Sequence, residues 1–133
     1  MRCTRPLTVD AIILYEDRLV LVRRGNEPFK GRLALPGGFV EKDETVEQAV
    51  LRETKEETGL DTEIVRLIGV YSDPGRDPRG PTVSVCYRLR VTGGSPRASS
   101  DAAAVELAAP GAIPPLAFDH DRMIADARRD SAF

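Results

Sequence analysis

A chain of 133 residues, 41% hydrophobic and 30% charged, is long enough to bury a real core and has the ordinary composition of a soluble globular protein. Its formal net charge of -2 excludes a broadly basic surface for nucleic acid or an anionic membrane, while leaving room for a local arginine cluster that binds a small phosphorylated ligand. Cys3 and Cys86 lack CxxC spacing and lie far from the lone His120, which argues against zinc and for a reducing compartment. No stretch approaches the ~20 apolar residues of a membrane span, and the N-terminus has no signal-peptide apolar region, so one cytoplasmic domain over residues 1–133 is expected.

In chain order, Leu7 to Tyr15 and Arg18 to Arg24 are short runs rich in β-branched residues, separated by Glu16-Asp17, the spacing of a tight hairpin. The stretch from Gly25 to Gly38 is broken by Gly and Pro and reads as loop with one brief strand. A helix follows. Thr45 is its N-cap, Gln48 completes a capping box, and Gly59 supplies a left-handed stop. Thr62 to Ser72 reads as a strand, and Thr82 to Val91 as another, with Val83, Val85, Tyr87, Leu89 and Val91 on one face and Ser84, Cys86, Arg88 and Arg90 on the other. From Gly93 to Pro115 the chain is mostly loop, with a short strand near Val105 to Leu107. Asp119 is placed to cap a final helix that begins at His120. Strands around a central helix, with one more helix at the end, predict a mixed sheet covered by helices.

The central helix poses a conflict. Advancing about 100° per residue from Val46 puts Ala49, Val50, Glu53 and Glu57 in one stripe, with Glu56 at its edge. Carboxylates on an inward stripe repel one another and lose hydration. Hard divalent cations resolve the conflict, because Mg²⁺ and Mn²⁺ accept carboxylate oxygens and share their remaining positions with phosphate. An acidic surface helix is the other explanation, and spacing alone does not choose between them.

The flanks of that helix do. From Gly38 to Leu60 the chain resembles the Nudix hydrolase signature, G-x5-E-x7-R-E-U-x-E-E-x-G-U with U a bulky apolar residue. Gly38, Glu44, Arg52, Glu53, Glu56, Glu57, Gly59 and Leu60 fall in register, and Thr54 stands where an aliphatic residue is usual. The resemblance implies an α/β fold: a Nudix-type α-β-α sandwich with a mixed central sheet and a loop-helix-loop catalytic motif. It implies Glu53, Glu56 and Glu57 as metal ligands, joined by the carbonyl of Gly37, with Arg52 orienting the carboxylates and Glu44 supporting from behind. It further implies Mg²⁺, with Mn²⁺ a substitute, and in-line attack of water on a nucleoside diphosphate linked to another moiety.

A second run, Tyr71 to Val85, points to the substrate. Pro74, fifteen residues beyond Gly59, together with "SDPGRDPRG" and with "LAFDH" at Leu116 to His120, is similar to the small ADP-ribose pyrophosphatases of the family. Arg76 and Arg79 stand in a loop stiffened by Pro and Gly, where two guanidinium forks could grip phosphate or ribose; Arg24 and Arg23 are further substrate contacts to consider. The competing reading of the loop is a solvated turn in which Asp73 and Asp77 neutralise the arginines. His120 is read as a helix-start residue rather than a catalyst. The chain departs from its relatives at Pro81, where histidine is common, and at Ala104, where an acid is expected. Glu106, Asp101 or a helix glutamate is left as general base, and no aromatic near Ala104 is at hand to stack on adenine.

Three functions compete. The first is Mg²⁺-dependent hydrolysis of ADP-ribose to AMP and ribose 5-phosphate. The second is a nucleotide-pool sanitiser acting on (deoxy)nucleoside triphosphates, which the Pro74 loop disfavours. The third is a non-catalytic ADP-ribose sensor, which in this family adds a DNA-binding domain that the tail from Leu116 to Phe133 has no room for. The expected partner is a small nucleotide, with no nucleic acid and no membrane, and the resemblance admits a homodimer.

Overall fold

The computed structural model describes residues 1–97 and 104–133. β1 (Leu7–Tyr15) and β2 (Arg18–Arg23) form the expected hairpin. Glu16 and Asp17 both take positive φ, 50° and 63°, the mirror-image turn whose twist matches the flanking strands. Arg24 falls just past the end of β2. The brief strand in the following segment is β3 (Leu33–Ala34), paired with β2. The same segment ends in a second strand where its Gly and Pro content predicts loop. β4 (Gly37–Phe39) pairs antiparallel with β1, Asp10 opposite Gly37, so backbone pairing outweighs the poor strand propensity of Gly-Gly.

α1 (Val46–Thr58) begins and ends as its sequence dictates: the capping box between Thr45 and Gln48 is formed, and Gly59 caps at φ 76°. β5 (Leu60–Tyr71) leaves that cap directly and pairs antiparallel with β6 (Val83–Gly94). β7 (Ala104–Ala108) pairs with β2, and the chain closes with α2 (His120–Arg129). Among the described residues the seven strands form one sheet ordered β3-β2-β1-β6-β5, with β4 added to β1 and β7 to β2; β1 and β6 run parallel, so the sheet is mixed. Asp119 precedes α2 as expected but makes no capping bond with its side chain, because Arg76 takes that carboxylate.

The alternation read in β6 sorts residues into two cores. Tyr87 and Leu89 join Val9, Ile13, Ala49 and Val50 beneath α1. Cys86 faces the other way, with Ile12, Leu21, Met123 and Ile124 beneath α2. The sheet is therefore covered on both faces, an α-β-α arrangement. Among the described residues no helix is long and apolar enough to cross a membrane.

The inward stripe of α1 differs from the predicted one. Its buried line is Ala49, Val50, Thr54 and Thr58. Glu53 and Glu57 lie along its edge toward β4, since the stripe rotates as the helix descends and carboxylates are left where polar backbone is near. Thr54 is fully buried, and its Oγ1 has no hydrogen-bond partner. An unpaired buried hydroxyl costs about 1–3 kcal/mol. Thr54→Val, which keeps the shape and removes that group, is expected to raise the thermal midpoint by roughly 3–10 °C, as calorimetry would show; an unchanged or lower midpoint would mean that the hydroxyl is paired.

Candidate active site

The strand pairing of β4 lays Gly37 and Gly38 against the last turns of α1. The Gly37 amide donates to Glu57 Oε1 at 3.0 Å. Gly38 touches Glu53 so closely that a Cβ there would lie 2.5 Å from its carboxyl carbon. Glycine is required at that position to let a carboxylate and a backbone share the space. The second carboxylate, Glu57, lies beside Glu53. Burial and the charge of Glu53 push Glu57 up to about 8, and burial raises Glu53 as well.

Arg52 is the counter-charge of this group. Its Nη2 and Nε donate to Glu44 at 2.6 and 3.0 Å, and its Nη1 donates to Glu53 at 2.9 Å and to Glu56 at 3.2 Å. Nη2 also holds the Phe39 carbonyl at 3.1 Å, fixing the end of β4. The hydrogen bond from Arg52, with another from the Glu41 amide, brings Glu44 down to about 2. The predicted residues Glu44, Arg52, Glu53, Glu56, Glu57 and Gly37 are thus one connected cluster. Glu56 is its outermost member, with its side chain 54% exposed. Among the described residues no three acidic, His or Cys side chains already converge on one point as a metal centre. Arg52 draws Glu53 and Glu56, and the Gly37 amide draws Glu57.

Beside the cluster opens a cavity of about 190 Å³ lined by Arg24, Gly37, Phe39, Glu57, Arg79 and Phe118, among others. Of the three glutamates only Glu57 reaches its wall. Arg24 donates to the Pro28 carbonyl at 2.6 Å and lies 4.9 Å over the Phe118 ring. Arg79 is held by Asp77 at 2.8 Å and remains 44% exposed. Arg76 is different. Its side chain is 4% exposed, doubly bonded to Asp119 at 2.8 and 2.9 Å, and bonded through Nη1 to Thr82 at 2.7 Å. It lines the cavity while its donors serve the joint between the loop and α2. Pro74 is exposed in its turn and off the cavity wall, and Arg23 lines the wall while bonded to Glu106 at 2.6 Å. Ala104 lies opposite Arg23 in β7, and Asp101 lies outside the described residues.

Sequence reasoning missed Asp10, Phe39 and Phe118, and gave His120 only a place at the helix start. Asp10 is buried, accepts from Ser84, and lies 3.2 Å from His120 Nε2, while His120 Nδ1 accepts from the Leu35 amide at 3.0 Å. An Nδ1 that accepts has no proton, so Nε2 donates to Asp10. Burial alone would raise Asp10; His120, Ser84 and Arg76 outweigh it and hold the carboxyl below its usual range. This network ties the start of α2 to the backbone two residues before Gly37. An acid inside an apolar strand, as in "LTVDAIILY", was the signal available in the sequence.

A family model for the NUDIX domain matches residues 4–127. The ADP-ribose pyrophosphatase of Methanocaldococcus jannaschii is 50% identical over 123 residues, which are 92% of this chain and 73% of that enzyme. The NUDIX domain of Shewanella oneidensis NrtR, solved in complex with ADP ribose, superposes with a TM-score of 0.84 at 33% identity, over 98% of this chain and 90% of that one. A bifunctional NMN adenylyltransferase/ADP ribose pyrophosphatase from Francisella tularensis, solved with AMP and a manganese ion, gives 0.82 at 28% identity over 96% of this chain and 42% of that one.

The raised Glu57 has a measurable consequence. An acid whose carboxyl is raised on folding makes the folded state bind the extra proton, so its contribution weakens as pH climbs from the ordinary value of 4.5 toward about 8. In EDTA, the thermal midpoint is expected to fall by roughly 3–10 °C more between pH 5 and 8.5 than it does for Glu57→Gln. Equal slopes in the two proteins would show that this carboxyl is not raised.

Proposed function

The chain belongs to the NUDIX family, and from that premise we propose that it is a Mg²⁺-dependent pyrophosphatase that splits ADP-ribose into AMP and ribose 5-phosphate. The observation that carries the reading is the pair of half-buried carboxylates, Glu53 and Glu57, set against two glycines at the edge of a cavity that also holds Arg24 and Arg79. The 50% identity to an ADP-ribose pyrophosphatase and the fold shared with an ADP-ribose complex support the choice of substrate.

The donor set suits the cofactor. Glu53, Glu56, Glu57 and the Gly37 carbonyl are all hard oxygen ligands, and a carboxyl that burial and a like neighbour push up to about 8 is one that a cation would relieve. Mg²⁺ bound there, or Mn²⁺ in its place, would supply a more acidic water and neutralise charge on the diphosphate. Arg52 offsets the repulsion among the carboxylates and fixes two of them, Glu53 and Glu56. Glu44 holds Arg52 in turn.

Arg24 and Arg79 face the same cavity, and burial together with the charge of Arg79 lowers Arg24 below its ordinary value. Two converging cations favour an anion between them, and a diphosphate fits. Arg76 does its part from behind, by fixing Asp119 and thereby Phe118. In the reaction a water oxygen forms a bond to one phosphorus, the bridging P–O bond breaks, and the departing phosphate keeps the electron pair. The water's proton passes to a carboxylate. Attack at either phosphorus gives the same two products.

This reading also treats residues 1–133 as one catalytic unit and includes a homodimer, for which the edge strand β5 offers Val65, Leu67 and Val70 as exposed apolar side chains.

Incubated with Mg²⁺ and a panel of ADP-ribose, other ADP-sugars, dinucleotides and nucleoside triphosphates, the protein is expected to turn over ADP-ribose fastest and to yield AMP and ribose 5-phosphate. Dominant cleavage of triphosphates would overturn the substrate while leaving the family intact. Glu57→Gln is expected to lower kcat by about 10²-fold or more with the fold intact by circular dichroism. Retained activity would remove Glu57 from the ligand set.

A further inference from the structure

Between Ala34 and Gly37 the chain changes partners. Up to Ala34 it pairs with β2, as β3, and from Gly37 it pairs with β1, as β4. Leu35 and Pro36 fall at the crossing. Proline has no N–H to place, and its carbonyl accepts from the Ala11 amide at 2.9 Å. Leu35 is buried, and its amide lies between the two ladders, where a donor without an acceptor is strongly unfavourable. The acceptor it meets is His120 Nδ1, at 3.0 Å and 85 positions further along the chain.

What stands on the far side of the ring decides which nitrogen accepts. Nε2 faces Asp10 Oδ1 at 3.2 Å, and the other oxygen of Asp10 accepts from Ser84. A carboxylate there keeps the proton on Nε2 and leaves the lone pair of Nδ1 for Leu35. Three elements, β1, β6 and α2, each lend one side chain to this single backbone amide. Its effect reaches Gly37, two residues on. Ladder bonds fall on the pairs Ala11–Pro36 and Leu7–Val40, so by the antiparallel alternation Asp10 and Gly37 face each other without one. The amide and carbonyl of Gly37 therefore turn away from β1, and the amide meets Glu57. Asp10 confines the same residue from β1, since a Cβ on Gly37 would lie 2.6 Å from its Oδ1.

We propose that His120 is a positioning residue for the acidic site: its Nδ1, aimed by Asp10, fixes the Leu35 amide and thereby sets where the Gly37 carbonyl and amide stand against Glu57. A residue that served stability alone would need only to fill its space. A positioning residue needs an acceptor at one particular atom, and the bond at that atom joins the far end of the chain to the glycine pair. The inference rests on the metal reading above and deepens it, by naming what holds the backbone ligand in place.

Two carboxamides divide the ring between them. In His120→Asn the side-chain oxygen takes the place of Nδ1, and in His120→Gln the terminal amide takes that of Nε2. Titrated with Mn²⁺ in the absence of nucleotide, His120→Asn is expected to stay within about 3-fold of the wild-type affinity and His120→Gln to weaken it by roughly 10- to 100-fold. In EDTA, exchange of the Gly37 amide followed by NMR is expected to quicken by about 10-fold or more in His120→Gln and to stay near the wild-type rate in His120→Asn. Equal weakening in both variants, or lower thermal midpoints with affinity and exchange unchanged, would overturn the proposal. The wild-type protein carries a further check that needs no variant to fold: the ¹⁵N shifts of His120 are expected to show a bare Nδ1 and a protonated Nε2, and a proton on Nδ1 would overturn it. If the wild-type protein binds no Mn²⁺, the metal reading falls, and the exchange rates alone decide the positioning role.

Discussion

Two carboxylic acids meet in the crevice between α1 and β4, and the rest of the site is arranged around keeping them there. Glu53 and Glu57 repel when both are ionised and are poorly hydrated where they lie. Three features make the position tolerable. Gly38 leaves the room that any side chain would take, the Gly37 amide donates to Glu57, and Arg52 brings a positive charge to Glu53. Such a pair is weak as a device for stability, since well-packed apolar residues would hold the helix better. Under the proposed function, a bound cation would offset that cost.

The local grammar of the chain was legible because it is written in backbone chemistry. Thr45 and Gln48 cap α1, Gly59 ends it, Glu16 and Asp17 turn the hairpin, and the alternation in β6 divides two cores. Each depends on residues close in sequence. The acidic cluster was legible for the same reason, since Glu44 to Glu57 lie on one helix and its approach. The parts that sequence hid are those made by pairing across distance. β4 reads as loop, because Gly-Gly has no strand preference until β1 offers it a partner. Phe118 and His120 reach the site from the far end of the chain; the "LAFDH" run that holds them carries a resemblance, but no local spacing or propensity assigns either side chain to the cavity.

The arginines show how little a residue type says before its partner is known. Arg76 and Arg79 look alike in "DPGRDPRG", three positions apart in one loop. In the fold, Arg76 meets Asp119 and Thr82 and is buried, while Arg79 meets Asp77 and stays half exposed. The difference is set by the carboxylate each finds. Asp119 belongs to a different element, so its bond with Arg76 holds two parts of the protein together. Asp77 belongs to the same loop, so the fork it makes with Arg79 holds that guanidinium in place and joins no second element.

That contrast also explains why Asp119 fails as a helix cap. A capping carboxylate would satisfy an amide at the start of α2 and gain about 1 kcal/mol. Bonded instead by two nitrogens of a buried guanidinium, it closes the seam between loop and helix and sets the backbone of Phe118 beside it. The helix start forgoes a local bond for a long-range one. Two charge-assisted bonds from a buried guanidinium, joining two elements, outweigh the single amide bond that a cap would make within one.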